Sequence, residues 1–174
     1  YSIRLDGDVR KLMKKLHHLE DVDLKKSRLT LAEALRSSTK KRFKDEEAPD
    51  GSAWKKSNRA AAEGGTTLTN KSRLKNSIKS KATESGFAVG TNVIYARTHQ
   101  FGEKGRRVTI RAKTSKGLVF KIGDKWIRKR EVTATIKIPK RPFLGISDED
   151  MKEIKDTLED MISEKKKNDW SMQR

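Results

Sequence analysis

The chain has 174 residues, of which 33% are apolar and 38% charged, and its formal net charge is +18. That length holds one domain with a real core, and the low apolar fraction fits a compact centre with long solvated or partner-covered extensions. The absence of Cys excludes disulfides, thiolate catalysis and zinc–thiolate sites, and no run approaches the roughly 20 apolar residues of a membrane span.

The excess of Lys and Arg points to a nucleic acid, an anionic surface or an acidic protein as neighbour. The start, Tyr1-Ser2-Ile3-Arg4, has no apolar leader core. Together these features predict a soluble protein of a cytoplasm-like compartment, with no membrane partner.

Val9, Leu12, Met13, Leu16 and Leu19 recur at helical spacing after Asp6-Gly7-Asp8. His17 and His18 end that segment; as sequence neighbours they point to different faces of a helix and make a poor metal pair. Asp21-Val22-Asp23 can cap a second helix, with Leu24, Leu31, Leu35 and Phe43 on one face and Arg28, Arg36, Lys40, Lys41 and Arg42 on the polar side. A helical hairpin over residues 8–46 is the expectation. Residues 47–76 read as a loop-rich linker. Pro49-Asp50-Gly51 has turn chemistry, Trp54 anchors the loop to the core, and Ser57–Gly65 reads as mobile. Asn70 or Ser72 is a candidate helix cap before Leu74.

The period changes at residue 77, where a β region over 77–145 begins. Ser77–Thr83 and Phe87–Gly90, joined at Glu84-Ser85-Gly86, read as a hairpin. Residues 102–141 then carry fourteen Lys and Arg against Glu103, Asp124 and Glu131. Lys104, Arg106, Arg107, Arg111, Lys113, Lys116, Arg128, Lys129, Arg130 and Lys140 are the candidate DNA- or partner-facing residues. The runs Val108–Ala112, Leu118–Ile122, Trp126–Ile127 and Val132–Ile138 are strand-like, and Lys113–Gly117 resembles a hairpin tip. The region reads as a long, partly exposed antiparallel excursion.

Ile138–Gly145, reading IPKRPFLG, is the stiffest stretch. Pro139 and Pro142 fix φ and lack an N–H, so neither strand nor helix passes through undisturbed. The expectation is a strand-to-helix corner whose Phe143 and Leu144 plug the core; a sharper reading, compatible with it, is that the corner also presents Lys140 and Arg141 to a partner. Ser147-Asp148-Glu149-Asp150 then caps a C-terminal helix over 147–165, with a tail over 166–174. The whole reads as a single α+β domain: an antiparallel sheet, an N-terminal helical pair, an extended basic β-hairpin region and a C-terminal helix packed on the sheet.

Catalytic chemistry finds little support. There is no Walker-type phosphate loop, no GxSxG turn and no paired metal-ligand spacing. His99 sits among apolar and aromatic residues but lacks an evident nucleophile or acidic orienting partner, and a backbone-bonded histidine at a strand end is the favoured reading. No cofactor is implied. Aromatics are sparse in the basic region, which disfavours base stacking and leaves sequence-independent attraction to phosphates.

Several short blocks occur in one order: Pro49-Asp50-Gly51-Ser52-Ala53-Trp54; Leu74-Lys75-Asn76-Ser77-Ile78; Val89-Gly90-Thr91-Asn92; Tyr95-Ala96-Arg97-Thr98-His99-Gln100-Phe101-Gly102; and Ile138–Gly145 before a capped helix. This order resembles the bacteriophage virion morphogenesis family, the tail-completion proteins of Mu-like tailed phages, over about residues 8–163. The chain departs from it at Ser72, near which the family tends to have Gly, and at Thr98, where an aliphatic residue is usual. Residues 102–138 span a region of variable length in such proteins.

The resemblance implies a non-enzymatic assembly protein of the virion's head–tail neck, assembled in the host bacterial cytoplasm. It would form a homo-oligomer, commonly a hexameric ring, with other phage neck and tail proteins as partners and genomic DNA passing through the channel. Trp54, Tyr95, His99, Gln100, Gly102, Pro139, Arg141, Pro142, Phe143, Leu144 and Gly145 would then be structural motif residues. The alternative is a sequence-independent DNA-binding protein acting through its basic segment.

Overall fold

The computed structural model describes residues 11, 14, 24–83 and 86–172. Most of the first helix of the expected pair lies outside the described residues. The second is α1 (Leu24–Asp45). Its buried row runs through Arg28, Leu31, Ala32, Leu35, Thr39, Arg42 and Phe43, at spacings of three and four. Two of these, Arg28 and Arg42, belong to the side expected to face solvent. The row stays polar at both ends because each guanidinium finds backbone acceptors inside, with Arg28 donating to the Thr83 carbonyl at 3.1 Å. Thr39 satisfies its hydroxyl on the Leu35 carbonyl at 2.8 Å. Glu46, at φ +59°, stops the helix, and the Glu47 N–H closes on the Arg42 carbonyl at 3.2 Å.

Residues 57–65, expected to be mobile, contain a helix instead: α2 (Asn58–Glu63), capped by Ser57, whose Oγ accepts from the Ala60 N–H at 3.2 Å. Three consecutive alanines carry the helical propensity there. The one-turn α3 (Arg73–Asn76) starts after Ser72. Ser72 caps it with no side-chain bond and turns its hydroxyl back to the Thr69 carbonyl at 3.2 Å.

β1 (Lys79–Thr83) and β2 (Gly86–Gly90) form the expected hairpin, with Ser80 opposite Val89. Then comes α4 (Ala96–Phe101), a helix where the expectation for His99 was a strand end. β3 (Glu103–Arg111), β4 (Leu118–Ile122), β5 (Lys125–Lys129) and β6 (Glu131–Ile138) follow, and α5 (Asp148–Met172) closes the chain, running through the segment expected to be a tail.

The architecture is α+β with antiparallel pairing throughout, but the strands form three separate two-stranded ladders in place of one sheet: β1–β2, β3–β6 and β4–β5. α1 packs across β1–β2 and α5 packs against α1, burying Ile154 and Leu158. Because β3 pairs with β6 and β4 with β5, the Lys113–Gly117 segment is a corner between ladders, and the hairpin tip is Gly123-Asp124. Residues 102–141 thus make an arm of one ladder nested beyond another.

The core joins α1, the 48–54 loop, α3, the first hairpin and the Pro corner through Leu35, Phe43, Trp54, Leu74, Ile78 and Phe143. Phe43 stands at its centre, with the Trp54 ring edge-on at 5.4 Å and the Phe143 ring at 5.2 Å.

Candidate functional site

Gln100 is the clasp of the corner from which the arm rises. Its Oε1 accepts from the N–H groups of Phe143 and Leu144, each at 3.0 Å, and its Nε2 donates to the Leu144 carbonyl at 2.8 Å. One side-chain amide therefore satisfies backbone groups that the two prolines keep out of any ladder. Trp54 donates its indole N–H to the Pro142 carbonyl at 2.9 Å. Arg141 donates its backbone N–H to the His99 carbonyl at 2.7 Å and its Nε–H to the Lys55 carbonyl at 2.8 Å.

Two glycines permit the close approach. A Cβ on Gly102, where φ is +76°, would lie 2.8 Å from the Lys140 nitrogen and 2.9 Å from the Ile138 oxygen. A Cβ on Gly145 would lie 2.5 Å from Pro49 Cγ, so Pro49-Asp50-Gly51 packs directly on the corner.

Arg42 completes the corner from below. It donates to the Phe143 and Gly145 carbonyls, each at 3.0 Å, and forms a buried ion pair with Asp150. Burial pushes the Arg42 guanidinium pKa down, and the Asp150 carboxylate opposes that shift. Asp150 also accepts from the Ser147 N–H at 2.9 Å, while Ser147 Oγ accepts from the Asp150 N–H at 3.1 Å. This reciprocal box fixes where α5 starts.

Of the corner's two cations only Lys140 faces outward. Arg141 is 5% exposed, contrary to the expectation that it meets a partner, because its Nε–H is committed to the Lys55 carbonyl. Pro139 is exposed, and Pro142, Leu144 and Gly145 are half-buried. The Arg42–Asp150 ion pair was missed by sequence reasoning, which read Asp150 only as part of the helix cap and Arg42 as part of the polar side. The one available signal was that Arg42 falls beside Phe43 in a row of buried positions four residues apart.

His99 lies half-buried in α4, its ring edge-on to Tyr95 at 5.9 Å. Its Nδ1 is buried with no hydrogen-bond partner among the described residues. Burial, and then the Arg141 charge, push its pKa below the ordinary 6.5. The ring borders a cleft of about 360 Å³ that Arg59, Lys71 and Arg73 also line. Among the described residues that line the cleft there is no carboxylate to orient the imidazole as a base. Among the described residues no group of His, Asp and Glu is arranged to hold a metal ion.

The arm carries the candidate binding cations. Cross-strand neighbours divide the β3–β6 ladder into two faces. Lys104 stands opposite Lys137, Arg107 opposite Thr135, Thr109 opposite Thr133, and Arg111 opposite Glu131 on one face. Arg106 opposite Ile136, Val108 opposite Ala134, and Ile110 opposite Val132 make the other, mainly apolar face. Gly105 is the bulge that keeps both patterns in register. Arg111 pairs with Glu131 at 2.7 Å, and Arg106 with Glu103 at 3.6 Å.

Beyond the corner, Lys113, Lys116, Arg128, Lys129 and Arg130 are all exposed, as is Trp126 at 71%. The structure therefore separates the two groups of residues the sequence singled out. The motif residues other than Tyr95, which is exposed at the cleft beside His99, lie at the corner, and every candidate binding cation except Lys140, which sits at the arm's root, lies along the arm.

The described residues thus present a pinned corner and a basic arm rising from it. The chain belongs to the phage virion morphogenesis family, whose model matches residues 6–163. No individual curated protein and no solved structure is significantly similar to it. Membership sets the chain among the structural proteins that build phage particles and meet other phage structural proteins there. No helix among the described residues is long and apolar enough to cross a membrane.

Proposed function

We propose that the chain is a tail-completion subunit of the head–tail neck, which ends the tail and makes it competent to join the head. It acts as one member of a homo-oligomeric ring, six-fold in the simplest case, around the channel the genome crosses. The observation that carries this reading is the arm: a basic ribbon, exposed along most of its length and rigidly rooted in the corner that the family's blocks build. A two-stranded ribbon is marginal alone in water, so an exposed one is built to be covered. The distal cations Lys113, Lys116, Arg128, Lys129 and Arg130, with Lys140 at the root, then face DNA or an adjoining neck protein. DNA attraction of this kind is sequence-independent and salt-sensitive.

Absolute mass by light scattering, at low and moderate salt and with and without duplex DNA, tests the proposal. A defined oligomer near six subunits without DNA is the expected result. A monomer that binds duplex DNA tightly, with affinity falling steeply as salt rises, would replace it with the reading of a stand-alone DNA-binding protein.

A further inference from the structure

The chain is strongly basic overall, yet its last helix is acidic. Residues 148–164 hold eight Asp and Glu against Lys152 and Lys155. Glu149, Glu153, Asp156, Asp160 and Glu164 recur at helical spacing and fall on one face, and all five are exposed. That face is turned away from Ile154 and Leu158, which are buried. No ion pair among the described residues involves any of the five. From Glu149 to Glu164 the stripe is about 22 Å long at the helical rise.

The polar face of the β3–β6 ladder is its complement. Lys104 and Lys137 stand directly opposite each other, a like-charge cross-strand pair that is unfavourable in isolation. Such a pair is tolerable where an anionic surface covers it. Arg107 continues the face as far as Arg111, whose guanidinium is already paired with Glu131, and from Lys104 to Arg111 it extends about 24 Å at the strand rise. The two surfaces match in sign and length. No ion pair among the described residues joins the arm to α5.

We infer that the polar face of the arm docks on the acidic stripe of α5 in a second copy of this chain. The contact is head-to-tail: each subunit gives its arm to one neighbour and its helix to the other, the kind of interface that closes into a ring when the rotation allows. A second copy is favoured over DNA as occupant of this face because the same chain supplies an anionic helix face of matching length that holds no ion pair among the described residues. One interface relieves both surfaces. The inference rests on the ring reading above and specifies the contact that would make it.

Two full-length variants test it by light scattering at low salt: Lys104→Glu/Arg107→Glu/Lys137→Glu on the arm, and Glu153→Lys/Asp156→Lys/Asp160→Lys on the helix. Each alone should lose the oligomer and run as a monomer. An equimolar mixture should regain the wild-type mass, because the reversed arm then meets the reversed helix and the native arm meets the native helix. Should a reversal fail to melt as a folded protein, the Gln or Asn versions of the same positions should still weaken assembly measurably.

An oligomer that survives both reversals would overturn the interface while leaving the ring reading intact. Two monomeric variants that fail to reassemble on mixing would overturn it as well. A wild type monomeric at all concentrations and salts would overturn both readings. If the arm variant instead keeps its mass but loses duplex DNA binding, DNA is the occupant of this face and the inference fails.

Discussion

Replacing Arg42 by Met probes how the corner is held. The substitution keeps the length of the side chain but removes its charge and its donors. It strands the Asp150 carboxylate, which is 4% exposed, and it leaves the Phe143 and Gly145 carbonyls without the donors that now reach them at 3.0 Å. Removing one partner of a buried pair costs roughly 3–5 kcal/mol, most of it from the charge left behind. At roughly 2–4 °C per kcal/mol for a domain of this size, melting should fall by about 6–20 °C.

Asp150→Leu strands the guanidinium instead and should cost a similar amount. Arg42→Met/Asp150→Leu removes both charges, so its loss should be smaller than the sum of the single losses, with a coupling of about 1–3 kcal/mol. Some loss must remain, because Asp150 also accepts from the Ser147 N–H at the start of α5. Denaturant unfolding of the four proteins in one buffer measures the cycle. An Arg42→Met protein within about 1 kcal/mol of wild type, additive with the second change, would refute the claim that this pair locks the corner.

Gln100→Ala should cost about 2–4 kcal/mol by denaturant melt, since it leaves two part-buried N–H groups and one carbonyl unmatched; a loss below about 1 kcal/mol would mean that water or another side chain replaces the clasp. Ser72→Gly should stabilise by about 0.5–1 kcal/mol, because Ser72 holds φ +50° in the left-handed region that glycine enters freely; no gain in melting temperature would contradict the conformational argument. His99 favours the neutral form when folded, so the unfolded chain binds the extra proton: stability is full above its ordinary pKa of 6.5 and is lost as pH falls through 6.5 toward the lower folded value. His99→Phe should flatten that part of the stability profile, and an unchanged slope would rule out the residue as its source. Trp126→Ser should leave melting within about 0.5 kcal/mol, because the indole is exposed on the distal hairpin; a larger drop would place the hairpin inside the cooperative fold.

The sequence made the elements legible where periodicity and turn chemistry agreed. The α1 face, the first hairpin, the strand-like runs of the arm and the capped start of α5 follow from spacing, and the structure has them. Pairing was less legible. That β3 finds β6 across the whole β4–β5 hairpin depends on long-range register, which no local run encodes, so Lys113–Gly117 resembled a tip and is a corner. Ser57–Gly65 misled because small residues suit a loop as well as a short helix, and the Ser57 cap decides between them. Arg42 and Arg141 misled for one physical reason. A guanidinium reads as solvent-facing until the backbone carbonyls that can receive it are known, and here those lie about a hundred residues away for Arg42 and eighty-six for Arg141.

Those two buried arginines also bear on how the net charge is deployed. The arm and corner hold fourteen Lys and Arg against three acids, but Arg141 is spent inside, tying the corner to the 55 loop. The charge that remains outside is concentrated on one ribbon whose root is fixed from three sides: by the Gln100 amide, by the Trp54 indole and by Pro49 against Gly145. A flexible basic tail would attract polyanions as well as this arm does, and it would need none of these contacts. Fixing the root costs packing precision, two glycines and a buried ion pair. That expense makes sense where the direction of the arm matters, because a surface that must meet a neighbour in register needs its angle set before contact. The corner is therefore best understood as the aiming device of the arm.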